Sequence, residues 1–260
     1  MSQLTPGAVL FELPDGGTVL RSPAGEVLGV ELPEEALTAV RATLTTGDGE
    51  PEALAAFAEA GFLGRRRGWP RERALVGLLG EPHLTGPYAE LLAEHGAEPR
   101  FVTSPEPGLT AVCALADGPA PEWWTGLDDL PAQGVAWQRV SREGRHALLE
   151  PVAAKATDVR HRDVRLRRLA AAQSGHRHLA AYWAGHEVIT GEERFTAADL
   201  RLVLAHAALD LRVWALGDQP REDGPLISGA LPANRRLRVL DLDTGAVADH
   251  PVLPVPECAA

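Results

Sequence analysis

Ala74-Leu75-Val76-Gly77-Leu78-Leu79-Gly80 is the stretch that decides the fold. It carries no charge, has the length of a single strand, and ends in glycine, the pattern of a strand buried on both faces of a parallel sheet. A turn rich in glycine and proline follows, through Glu81, Pro82 and Gly86. Pro87 to His95 then reads as a helix that turns Tyr88, Leu91 and Leu92 inward. Glu98 to Val102, Leu109 to Leu115 and Gly134 to Val140 read as three more strands, with a helix over Pro121 to Leu130. Strands alternating with helices predict an α/β domain on a parallel sheet.

Arg145 to Val152 reads as one further strand. Two long helices are expected next, over Asp158 to Tyr182 and Thr196 to Leu216. In the second, Leu200, Leu204, Ala207, Leu211 and Trp214 share a face, and Thr196 with Asp199 resembles a capping box. The chain closes on a hairpin, Leu237 to Leu242 and Val247 to Leu253, turning at Asp243-Thr244-Gly245.

Upstream, Ala8 to Leu13, Thr18 to Arg21 and Glu26 to Val30 read as short strands separated by Pro14-Asp15-Gly16-Gly17 and Ser22-Pro23-Ala24-Gly25. A helix opens at Pro33-Glu34-Glu35, with Leu37, Val40 and Leu44 on one face, and breaks at Gly47-Asp48-Gly49. A second starts at Glu50-Pro51-Glu52 and lines up Leu54, Phe57, Ala58 and Phe62. Three strands followed by helices make a small winged-helix-like unit. The basic run Gly64 to Pro70 reads as a linker, so the expected domains are residues 1–64 and 71–260.

A hydrophobic content of 45% suffices for a core, and a net charge of −11 argues against nucleic acid or an anionic membrane as the main partner. Cys113 and Cys258 cannot form a disulfide framework. There is no charged leader before an apolar run and no apolar stretch of spanning length, so a cytoplasmic protein is expected.

The chemistry-bearing motifs are weak. In Gly77 to Gly86 the spacing is not G-x-G-x-x-G, Glu81 would repel a phosphate, and Pro82 and Pro87 remove amide donors. No bound nucleotide or other cofactor is expected. Asp243-Thr244-Gly245 occurs once, whereas aspartic proteases need two such aspartates, so a turn is the better reading. His176, His178 and His186 form no H-E-x-x-H and read as solvated or partner-facing. Arg160, Arg162, Arg165, Arg167 and Arg168 read as a solvated helix face partly paired with Asp163, with docking of an acidic partner as the alternative. No catalytic constellation stands out.

The order of parts resembles the ThiF-like (ubiquitin-activating-enzyme-like) partner proteins of azole-forming cyclodehydratases, which act in thiopeptide and related ribosomal natural-product biosynthesis. The resemblance rests on Ala74 to Gly80 with Pro87 to Gly96, on Asp128 to Val140 with Gly144 to Val152, and on the closing His250 to Cys258. It implies a degenerate Rossmann-like domain after a recognition element for a precursor's leader peptide. The leader would add as a strand to Glu26, Val27, Leu28, Gly29 and Val30, against a helix presenting Leu54, Phe57 and Ala58. The chain departs from the family in showing two helices where the element usually has three. Members often hold zinc through two Cys-x-x-Cys pairs. Here those positions carry only Asp158, His161 and Cys258, too few good ligands for a structural site, so no zinc is expected.

The resemblance therefore implies a non-catalytic subunit presenting a leader peptide to a YcaO-type cyclodehydratase, which converts Cys, Ser or Thr to azolines. A homodimer through Thr196 to Leu216 is compatible with it. The alternatives are a ThiF-type adenylating enzyme and a leader-recognition protein serving another modifying enzyme, such as a dehydratase.

Overall fold

The computed structural model describes residues 3–46, 51–64, 67–185, 194–217 and 231–256. These fall into two compact units, one running up to Arg67 and one beginning at Gly68.

In the first unit three strands, β1 (Val9–Glu12), β2 (Thr18–Arg21) and β3 (Val27–Gly29), form an antiparallel meander in the order β1-β2-β3. The Asp15-Gly16 and Ala24-Gly25 turns close it, with Gly16 and Gly25 at positive φ where a side chain would be strained. Helix α1 (Glu34–Thr46) and the short α2 (Ala55–Glu59) follow, the latter entered through a 3₁₀ turn at Pro51–Leu54. The core is Leu20, Val40, Leu54 and Phe57, with Val30, Leu32 and Phe62 packed on it. The second helix is shorter than the apolar spacing predicts, because Gly61 at φ 75° ends it. The expected break at Gly47 to Gly49 lies outside the described residues.

The second unit is built on a seven-stranded sheet. Its parallel half comprises β4 (Leu75–Leu79), β5 (Glu98–Phe101), β6 (Ala111–Leu115) and β7 (Ala136–Glu143). Its antiparallel half adds β8 (His146–Leu149), β9 (Arg236–Asp241) and β10 (Val247–Pro251), in the order β10-β9-β8-β7-β6-β4-β5. Helices α3 (Pro82–Glu94) and α6 (Ala197–Leu216) bury one face of this sheet through Leu84, Tyr88, Leu92, Leu200, Leu204, Ala207 and Leu211. On the other face Trp124, Leu130 and Trp137 pack among short 3₁₀ turns.

The β5-to-β6 connection crosses β4 without a helix. It lies so close that a Cβ on Gly77 would meet Leu109 Cδ1 at 2.6 Å, which is why a glycine interrupts the otherwise branched strand. Tyr88, Gln138 and α6 are tied inside the core. The Tyr88 hydroxyl donates to Gln138 Oε1 at 2.5 Å, and Gln138 Nε2 donates to the Ala207 carbonyl at 2.8 Å.

Three elements of the second unit differ from expectation. Helix α3 starts at Pro82 rather than Pro87, with Pro82 in the first turn where its missing N–H costs nothing. Pro121 to Leu130 forms 3₁₀ turns, not an α-helix. The segment from Asp158 to Tyr182 is two helices, α4 (His161–Ala171) and α5 (His176–Trp183), broken where Gln173 takes a left-handed φ of 47°. Thr196 caps α6 as expected, its hydroxyl accepting from the Asp199 amide, and Asp243-Thr244-Gly245 is a hairpin turn organised by Asp241. No helix among the described residues is long and apolar enough to cross a membrane.

Candidate functional site

The free edge of β3 is the first candidate. Among the described residues β3 pairs only with β2, at Leu20 opposite Leu28. The amide of Val30 donates to the Thr18 carbonyl, and that of Ser22 to the Glu26 carbonyl. Pairs two residues apart share hydrogen-bonding character in an antiparallel ladder, so Leu28 faces β2 while the N–H and C=O groups of Val27 and Gly29 point outward. Val27 is 64% exposed and Leu28 40% exposed. Leu28 lies on the same face as its partner Leu20, which is in the core, so it carries that apolar surface out to the edge. An unpaired, partly apolar edge of this kind is a template for an added strand.

The helix expected to complete this groove differs residue by residue. Leu54 and Phe57 are buried in the unit's own core, whereas Ala58 is exposed. Glu26 and Gly29 are exposed and Val30 is half-buried. Of the eight expected contact residues, Val27, Leu28 and Gly29 form β3, and Glu26 and Val30 flank it.

The second candidate is the crevice at the carboxyl ends of β4 and β6, where the strand order reverses and α/β folds hold their ligands. Gly80, at φ 141°, packs there so tightly that a Cβ would lie 2.6 Å from the Leu115 carbonyl oxygen. Asp117, just past β6, accepts from Arg142 Nε at 2.5 Å and from the Phe195 amide at 3.1 Å. His83 lies between Glu81 Oε2 at 3.3 Å and Asp117 Oδ2 at 3.8 Å. The charged groups are thus engaged with one another. Beside them is an open hollow of about 500 Å³ lined by Leu78, Pro82, Thr85, Phe101 and Val102, an apolar surface with Phe101 65% exposed.

Asp158 and His161, two of the three residues expected at zinc-ligand positions, are engaged in hydrogen bonds within the unit. Asp158 Oδ2 accepts the amides of Ala154 and Lys155, and its Oδ1 accepts from Asn234. His161 Nδ1 meets Glu150 at 2.8 Å, and Glu150 Oε2 accepts from the fully buried Arg139 at 2.8 Å. Burial pushes the Glu150 carboxyl up, but the neighbouring His161 and Arg139 outweigh it and hold the group below its ordinary value. Asp128 accepts the His161 and Arg162 amides at 2.8 and 3.0 Å, capping α4 from a distant loop. Cys258 lies outside the described residues, and no cluster of three potential metal-ligating His, Cys, Asp or Glu residues occurs among those described.

The arginine run is likewise engaged. Arg160 pairs with Asp163, Arg165 stacks over Trp183 at 4.5 Å, Arg167 reaches the Leu253 and Pro254 carbonyls, and Arg168 forks onto Glu143. His176 sits beside the Gln173 carbonyl and His178 is exposed, while His186 lies outside the described residues. The Arg139–Glu150–His161–Asp128 network escaped sequence reading because its members sit on separate elements and match no spacing motif.

No family model and no curated protein matches the sequence. At the level of fold the chain is similar to several solved structures. One is a heterocyclase in complex with substrate and cofactor, with a TM-score of 0.70, 13% identity, and 97% of this chain lying on 38% of that one. The heterocyclase TruD gives a TM-score of 0.65 at 16% identity, with 99% of this chain on 42% of that chain. A chain of the E. coli microcin synthetase McbBCD complex gives 0.53 at 11% identity, with both chains covered in full. The chain thus spans less than half the length of the two heterocyclases and the whole of the microcin synthetase chain. At these identities the likeness is one of fold: a mixed α/β architecture shared with heterocyclase and microcin synthetase chains.

Proposed function

We propose that this chain is a non-catalytic subunit that binds the leader of a ribosomally made precursor peptide and presents it to a YcaO-type cyclodehydratase for azoline formation. Residues 1–64 are the leader-recognition domain and residues 71–260 a ThiF-like scaffold that docks the enzyme. The observation that carries this reading is the open edge of β3, where Val27 and Gly29 offer outward backbone groups next to the exposed Leu28. An added strand gains main-chain hydrogen bonds there and an apolar contact at alternate positions.

Two further observations support it. At the crevice of the second unit the charged groups pair with one another and the hollow beside them is apolar, which suits a scaffold better than a catalyst. The fold is shared with chains of heterocyclase and microcin synthetase structures, one of them solved with substrate. A homodimer formed through the outward Leu202, Leu209 and Val213 of α6 belongs to the same proposal.

Reconstitution tests it. The proposed YcaO-type cyclodehydratase and its precursor peptide are incubated with ATP, with and without the chain, and azoline formation is followed by mass as loss of water. Conversion should depend on the chain and on the leader segment. Equal conversion without the chain would refute the role.

A further inference from the structure

The charge of the first unit says which peptide its edge will take. Residues 1–64 hold ten carboxylates against two arginines, Arg21 and Arg41, and so contribute −8 of the chain's −11. Arg41 is tied to Glu12 and Thr18 inside the unit. No basic residue occurs between Ser22 and Val40, the segment that carries β3 and the start of α1. Glu26 precedes β3, while Glu31, Glu34 and Glu35 follow it, and all four are exposed. The edge thus offers unpaired backbone groups and an apolar middle, with carboxylates at both ends.

We propose that the segment added to β3 is a cationic peptide strand, with Lys or Arg flanking a short extended apolar stretch. This rests on the strand-addition reading above and names the class of peptide it admits. The three residues of β3 span only about 10 Å. Glu26, one residue before β3, and Glu31, two after it, are therefore within about a Debye length, roughly 8 Å, of the ends of a strand seated there. A basic segment gains at both ends and is steered to the edge, whereas an acidic one meets like charge at both. The backbone groups of Val27 and Gly29 carry no sequence preference, so charge and the Leu28 contact set the choice.

The test uses random twelve-residue peptides displayed on phage and selected against the full chain at low salt. Recovered peptides are then measured against Val27→Pro and against a quadruple variant, Glu26→Gln, Glu31→Gln, Glu34→Gln and Glu35→Gln. Protection of the Val27 and Gly29 amides from hydrogen exchange locates the bound strand even if the proline variant fails to fold. Edge-binding peptides should be rich in Lys and Arg. They should bind the quadruple variant about tenfold more weakly, a difference that shrinks as salt is raised. Edge-binding peptides that are neutral or acidic, or that bind the quadruple variant equally well, overturn the charge inference and leave strand addition standing. If no recovered peptide protects those amides or responds to Val27→Pro, strand addition itself fails and the charge inference with it.

Discussion

Replacing Glu150 by leucine removes the only carboxylate that, among the described residues, pairs with the fully buried Arg139 guanidinium. Arg139 has a side-chain exposure of 0% and donates to Glu150 and to the Pro151 carbonyl at 2.6 Å. Breaking one side of such a pair costs about 3–5 kcal/mol, because the remaining charge stays buried without a counterion. For a unit of this size each kcal/mol is worth about 2–4 °C, so the melting temperature should fall by about 6–20 °C.

The double variant Arg139→Met/Glu150→Leu should recover the larger part of that loss, since removing both charges is often close to neutral. The unpaired Pro151 carbonyl and His161 Nδ1 account for what is not recovered. The sign of the pH dependence follows from the lowered Glu150 pKa. The unfolded carboxyl, with its ordinary value of 4.5, binds protons more readily than the folded one. The stabilisation is therefore complete above pH 4.5 and disappears as pH falls through the folded-state value. Urea denaturation at neutral pH, repeated at decreasing pH, should show wild type and Glu150→Leu converging in acid. A single variant within about 1 kcal/mol of wild type at neutral pH, or a double variant no more stable than the single, would refute the assignment.

Three more outcomes follow from the packing. Gly80→Ala forces a residue into φ 141° and against the Leu115 carbonyl oxygen, so it should cost at least about 2 kcal/mol in urea denaturation, and a neutral result would remove the tight packing of Gly80 on Leu115 from the account. Asp128→Ala leaves the His161 and Arg162 amides without their acceptor, and should cost about 1–2 kcal/mol and speed hydrogen exchange at those two amides. Millimolar ATP with magnesium should leave the melting temperature unchanged, whereas a rise of several degrees would favour the adenylating reading.

Local patterns carried most of the fold. The apolar run at β4, the turns around β2 and the Thr196–Asp199 cap are each set by neighbours in sequence, and each was legible from them. The break between α4 and α5 depends on a single left-handed Gln173, a residue with no intrinsic bias strong enough to announce it. Pro82 and Pro87 both suit a helix start, and sequence alone favoured the second, although Pro87 is accommodated inside α3. The candidate edge was legible as a strand but not as an edge, because strand order is a tertiary property. The resemblance implied a groove role for Leu54 and Phe57; core and groove share one apolar pattern, and both side chains are buried in the unit's core.

The most direct test of the central claim is the affinity of a labelled leader segment of the proposed precursor peptide for wild type and for Val27→Pro. The Val27 amide points away from β2, so proline removes a donor from the open edge while leaving the Leu20–Leu28 pairing in place. Binding by wild type with a loss of about tenfold or more in the variant is the expected result. No binding, or equal binding by a folded Val27→Pro chain, would contradict leader recognition at β3.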